Sequence, residues 1–127
     1  MAETIRGVID VRSTRSVAQT IDRLQSLAAQ GGLTVFARID FSGDAQRAGL
    51  SMRPMQMLLF GNPKAGTPLM DQYPSLAIDL PLKALIWESS DKKVYLSYTS
   101  PEYLQQRHHL PMVPFAQLPD LFAAALK

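Results

Sequence analysis

The stretch FGNPKAGTPLM, Phe60–Met70, decides how this chain is layered. The apolar run Met57, Leu58, Leu59 and Phe60 ends abruptly at Gly61, as a strand ends at a turn. Thr67-Pro68 then predicts a helix start. Threonine accepts amide N–H groups at an N-cap, and the fixed φ of proline suits the first helical position. Pro74 ends that helix near Tyr73. A strand delivered into a helix through such a loop leaves backbone N–H groups aimed at one spot, which suits an anion. The same residues also make an ordinary turn: Asn62-Pro63 initiates it, Gly66 supplies dihedral freedom, and Thr67 caps the helix.

Upstream, Ile5, Gly7, Ile9 and Val11 alternate on one face and predict a first strand. Ser16 and Gln19 form a capping-box pattern ahead of a helix over 16–30. Its stripe is Val17, Ile21, Leu24 and Ala28, and Gly31-Gly32 stops it. Leu33–Phe41 reads as a second strand and 42–49 as a short helix with Ser42 as cap. The third strand runs from Gln56 to Gly61. Downstream, Leu82–Glu88 and Lys93–Thr99 predict a hairpin turning at 89–92, with both faces of its first strand covered. A short helix follows over 101–109, capped by Ser100, then an extended stretch over 110–114. Leu118, Leu121, Phe122, Ala125 and Leu126 predict a last helix. Short links between strands imply an α+β fold, an antiparallel-rich sheet of about five strands with two longer helices packed on it. No linker or repeat divides the chain, so a single domain over 1–127 is expected.

Composition excludes several function classes. With 127 residues, 46% hydrophobic and 19% charged, the chain can bury a core and is not of disordered type. Thirteen basic against 11 acidic residues give a formal charge of +2, too small and too dispersed for nucleic acid or a membrane surface. The absence of cysteine rules out disulfides, thiolate metal sites and thiol catalysis. The N-terminal residues show no apolar signal core and no run approaches a membrane span, so a soluble cytoplasmic protein is expected.

Several long segments resemble one family. FGNPKAGTPLM, DLPLKALIWE over Asp79–Glu88, YTSPEYLQQRH over Tyr98–His108, and VFARIDFSGDAQRAGLSMRPMQMLLFGNP upstream are similar to the domain-of-unknown-function family numbered 302. The resemblance covers most of the chain beyond Thr34. It implies a TATA-binding-protein-like arrangement (strand, helix, four strands, helix) and a homodimer, and it implies no established activity. One departure stands out. Where many relatives carry Asp-His-Ser, this chain has Asp40-Phe41-Ser42, so a site needing that histidine is in doubt here.

The candidate ligand-binding residues are Asn62, Lys64, Thr67, Tyr98, Arg107 and His108. The Gly61-x4-Gly66 spacing lacks the lysine of a nucleotide-binding loop, so at most a weaker anion site is expected from loop amides, Lys64 and Thr67. Lys64 and Arg107 would balance negative charge, while Asn62 and Tyr98 would orient a ligand. His108 is the candidate general base; alternatively Arg107 and His108 serve a helix C-terminus, and Tyr98 is half-buried packing. Adjacent His108 and His109 point apart, so no metal site is expected, nor any cofactor. The serines Ser42, Ser51, Ser75, Ser97 and Ser100 lack a nucleophile-elbow pattern, so no triad is expected. The methionines Met52, Met55, Met57 and Met70 read as core or interface filling. Three functions follow from this. The first is a homodimeric domain binding a small anionic or polar ligand near 61–67. The second is a hydrolase or isomerase of a small metabolite with His108 as base. The third is a structural dimerisation module.

Overall fold

A computed structural model describes residues 4–127. The expectation of a leader-free start falls partly on residues 1–3, outside the described residues. The strands are β1 (Val8–Ser13), β2 (Thr34–Asp40), β3 (Met55–Gly61), β4 (Leu82–Glu88) and β5 (Val94–Thr99). They form one antiparallel sheet in the order β1-β5-β4-β3-β2. The β4–β5 link is a short turn, whereas helices fill the other connections, so the expectation of mostly short links is corrected. The helices are α1 (Val17–Gln30), α2 (Phe41–Arg47), α3 (Pro63–Gln72), α4 (Pro101–His108) and α5 (Leu118–Ala125), and a 3-10 helix spans Pro74–Asp79.

Helix α1 starts where the capping box placed it. Ser16 accepts the N–H of Gln19 and the Gln19 side chain accepts the N–H of Ser16. Its buried stripe of Val17, Ile21, Leu24 and Ala28 lies on the sheet, and α5 packs beside it. Under the two helices, Leu58, Phe60, Ala84, Ile86, Leu96 and Tyr98 complete one core. Phe122 of α5 meets Phe60 edge-on at 6.1 Å and Tyr98 at 4.5 Å between ring centroids. Among the described residues, no helix is long and apolar enough to cross a membrane.

Five local expectations are corrected. The first strand begins at Val8, because Gly7 turns the chain at φ +81°. A Cβ there would lie 2.7 Å from the Tyr103 ring, so glycine lets α4 approach β1. Strand β2 carries a bulge between Val35 and Ala37 and stops at Asp40. Asp40, not Ser42, caps α2 by accepting the N–H of Gly43 at 3.0 Å, while Ser42 donates its hydroxyl to Asp40 at 2.7 Å. Helix α3 starts at Pro63, not at Pro68. The chain does not run extended after α4: it bends at Pro111-Met112 and turns through Pro114–Gln117.

The two faces of β4 also differ from expectation. Ala84 and Ile86 are buried under the helices. On the opposite face Leu85 and Trp87 are only half-buried. They stand beside half-buried Met55, Met57 and Leu59 of β3 and Tyr95 of β5.

Candidate functional site

The anion-cradle geometry depends on free amides after β3, and the start of α3 uses them. Pro63 has no N–H. Lys64 donates its N–H to Oδ1 of Asn62 at 3.1 Å. Ala65 and Gly66 donate theirs to the carbonyl of Asn62 at 3.0 and 2.7 Å. Asn62 is thus the N-cap, Thr67 lies within the helix, and Pro68 sits inside it without an N–H to give. The protein itself engages these three amides, so they do not form a cradle.

What the helix start builds instead is an apolar cleft of about 280 Å³. Phe36 from β2, Phe60 from β3, Met70 from α3, Leu80 and Leu82 around the entry to β4, and Phe115 line it. Asn62 and Thr67 are the polar side chains on its wall. The bulge in β2 lies at the position of Phe36, whose ring reaches Gly61, where an added Cβ would lie 3.1 Å from it. A second hollow of about 340 Å³ shares Phe60, Asn62, Leu82 and Phe115, and runs on to Leu27 and Leu33 and to Leu118 and Leu121 of α5. Phe115 therefore stands between two apolar hollows. Its backbone is left-handed, at φ +54°. Such a conformation costs a non-glycine residue about 1–2 kcal/mol and persists only where its surroundings hold it.

Arg107 and His108 gather elsewhere, where the C-terminal end of α4 meets the 3-10 helix. His108 is 4% exposed at its side chain. Its Nε2 lies 2.5 Å from Oδ2 of Asp79, and its Nδ1 lies 2.8 Å from Oγ of Ser75. Arg107 Nε lies 3.1 Å from the same Asp79 oxygen. A hydrogen bond to Tyr103, and then the Asp79 charge, raise the Arg107 pKa, so the guanidinium stays charged beside the carboxylate. Asp79 can only accept when ionised, so a neutral His108 carries its proton on Nε2. Its Nδ1 lone pair then accepts the Ser75 hydroxyl proton. Ser75 stands on no strand-to-helix elbow, yet Ser75, His108 and Asp79 form a continuous hydrogen-bonded chain that the sequence reading did not anticipate. Ser75 and Asp79 lie i, i+4 on one short helix, and Pro74 at its first position is the sequence signal that could have placed it.

The six candidates therefore fall into separate places. Asn62 and Thr67 share the cleft, and Arg107 and His108 share Asp79. Lys64 is exposed on the first turn of α3. Tyr98 is 7% exposed with its ring on Phe122 in the core, and burial followed by the charge of Glu102 raises its pKa. Phe41 opens α2 half-buried. Its neighbour Asp40 has its carboxyl pKa lowered first by the Ser42 hydroxyl and then by the Gly43 N–H. Among the described residues, no three His, Cys, Asp or Glu side chains are grouped to hold a metal ion.

Comparison with known proteins adds three findings. The family described as Domain of unknown function DUF302 matches residues 9–125. Proteins named Fluoride-specific ion channel FluC 1, from Brucella suis and Brucella abortus, are each 42% identical over 104 residues, 82% of this chain. That match spans 41% and 38% of their own lengths, so the chain corresponds to less than half of either. A crystal structure of an uncharacterized conserved DUF302 protein from Bacillus stearothermophilus superimposes with a TM-score of 0.79. At 21% identity it covers 96% of this chain and 97% of that one, and it shares the fold.

Proposed function

This chain belongs to the DUF302 family, and from that premise we propose that it is a small-molecule-binding domain whose ligand enters the cleft between α3, β4 and Phe115. The observation that carries this reading is the wall itself: a nearly continuous apolar surface with Asn62 and Thr67 as its polar side chains. Such a wall suits an amphipathic molecule with its apolar part among Phe36, Met70 and Phe115 and its polar end at Asn62 and Thr67. Lys64, one turn away at the exposed end of α3, suits a negative charge on that end. The test is a thermal-shift series of carboxylates with increasing alkyl length. Melting temperature should rise with chain length in the wild type and stay flat in Met70→Trp, which fills the cleft. Equal shifts in both proteins would show that the cleft is not the site.

The domain acts as a homodimer in this reading. The half-buried apolar face formed by Met55, Met57, Leu85, Trp87 and Tyr95 supports a second copy as its cover. A melting temperature independent of dilution would remove that part of the proposal.

The channel names of the Brucella relatives bear on this chain in one way. The chain matches 38–41% of those proteins and shows no membrane-spanning helix among its described residues. Where it works beside a channel, it would be an accessory domain and not the conduit.

A second reading, a hydrolase or isomerase with His108 as general base, is favoured by the Asp79 carboxylate on its Nε2. Turnover of a small ester that disappears in His108→Gln would support it.

A further inference from the structure

We propose that Ser75 is a nucleophile for acyl transfer, activated by His108 and Asp79, a role that deepens the general-base reading of His108. The geometry is that of a serine–histidine–carboxylate relay with the two ring nitrogens exchanged. The hydroxyl lies 2.8 Å from Nδ1 and the carboxylate 2.5 Å from Nε2. Three features separate this arrangement from a mere tie between helices. His108 is sheltered, with 4% of its side chain exposed, so its ring is held in one orientation. Arg107 Nε and His108 Nε2 converge on one oxygen of Asp79, which anchors the carboxylate beside the ring. Ser75, in contrast, is exposed at the start of its helix, where an electrophile can reach Oγ.

The surroundings also indicate a substrate class. Ile78 follows Ser75 by one turn of the 3-10 helix, on the same side, and is 76% exposed. Arg107 meets Asp79 through Nε and also bonds Tyr103, and its side chain is 48% exposed, so its positive charge faces solvent beside the relay. An ester with a short apolar acyl group and an anionic group on its alcohol side fits both.

The reaction balances without any further reactant but water. An Oγ lone pair of Ser75 forms a bond to the acyl carbon as the hydroxyl proton passes to Nδ1 of His108. The bond from the acyl carbon to the alcohol oxygen then breaks, and that oxygen takes the electron pair and the proton from Nδ1. Water next attacks the acyl-serine through the same base. The products are the carboxylic acid and free Ser75.

A fluorophosphonate probe tests this directly, because Oγ displaces fluoride and stays bonded to phosphorus. Intact-mass and peptide analysis should find one adduct, on Ser75, in the wild type. Labelling should be absent in Ser75→Ala and at least about tenfold slower in His108→Gln. Ser75 is exposed, so the alanine variant is expected to fold, and its melting temperature is measured alongside. An unlabelled wild type, or equal labelling rates in wild type and His108→Gln, overturns the proposal. Ester turnover kept in Ser75→Ala but lost in His108→Gln also overturns the nucleophile, while leaving the general-base reading standing. Loss of turnover in neither variant removes both.

Discussion

The side chain of Asn62 accepts the backbone N–H of Lys64 at 3.1 Å. This bond fixes the first turn of α3 and brings Asn62 to the wall of the apolar cleft. Replacing Asn62 by Ala should cost about 1 kcal/mol in urea unfolding, the usual value of an N-cap. Thr67→Ala should change stability by only a few tenths of that, because Thr67 is interior to the helix. A larger loss from Thr67→Ala would move the helix start back to Pro68.

Pro68 gives a complementary test. Inside α3 it lacks an N–H and crowds the preceding turn, a situation that costs on the order of 3 kcal/mol in a regular helix. Pro68→Ala should therefore raise stability, by about 1–3 kcal/mol. If Pro68 were the first helical residue, the same change would be neutral or unfavourable, and denaturant midpoints distinguish the two.

Ser97 of β5 joins two strands on the sheet face away from the helices. It accepts the Trp87 indole N–H at 2.7 Å and donates its hydroxyl to Asp10. Ser97 is 7% exposed. Ser97→Ala removes a partner from both neighbours and should destabilise by about 1–3 kcal/mol. Unchanged stability would mean that water reaches this face and replaces the hydroxyl.

Tyr98 predicts an alkaline limit. Burial and the nearby Glu102 charge raise its phenol pKa above the ordinary value of 10.0. Below that value the phenol is neutral in both folded and unfolded chains, and its contribution is fully present. Above it, the unfolded chain loses the proton first, and stability falls until the folded phenol also ionises. Tyr98→Phe should flatten the stability profile above about pH 10. Identical profiles for the two proteins in that range would contradict the assignment.

Phe122 tests the core that supports both candidate sites. It is 1% exposed, and from α5 its ring meets Phe60 of β3 and Tyr98 of β5 across the helix–sheet seam. Phe122→Ala should cost about 3–5 kcal/mol and abolish the thermal response to cleft ligands by loosening α5. A loss below about 1 kcal/mol would show that the seam closes without it.

The local chemistry of the sequence determined what needs only nearby residues. Ser16 and Gln19 are three positions apart, so the start of α1 was legible, as were the apolar stripe behind it and the Ser100-Pro101 start of α4. The alternating runs around the 89–92 turn were enough for the β4–β5 hairpin. Tertiary structure alone decided between two valid helix starts. Asn62-Pro63 and Thr67-Pro68 carry the same capping chemistry, and the chain uses the first, where Asn62 and Phe60 line a cleft with Phe115. It alone decided the relay as well. His108 meets Asp79 from 29 positions away and Ser75 from 33, and no periodicity or spacing rule reaches that far. Capping and alternation act within a few residues of backbone, whereas a pocket or a proton path exists only once distant segments share one core.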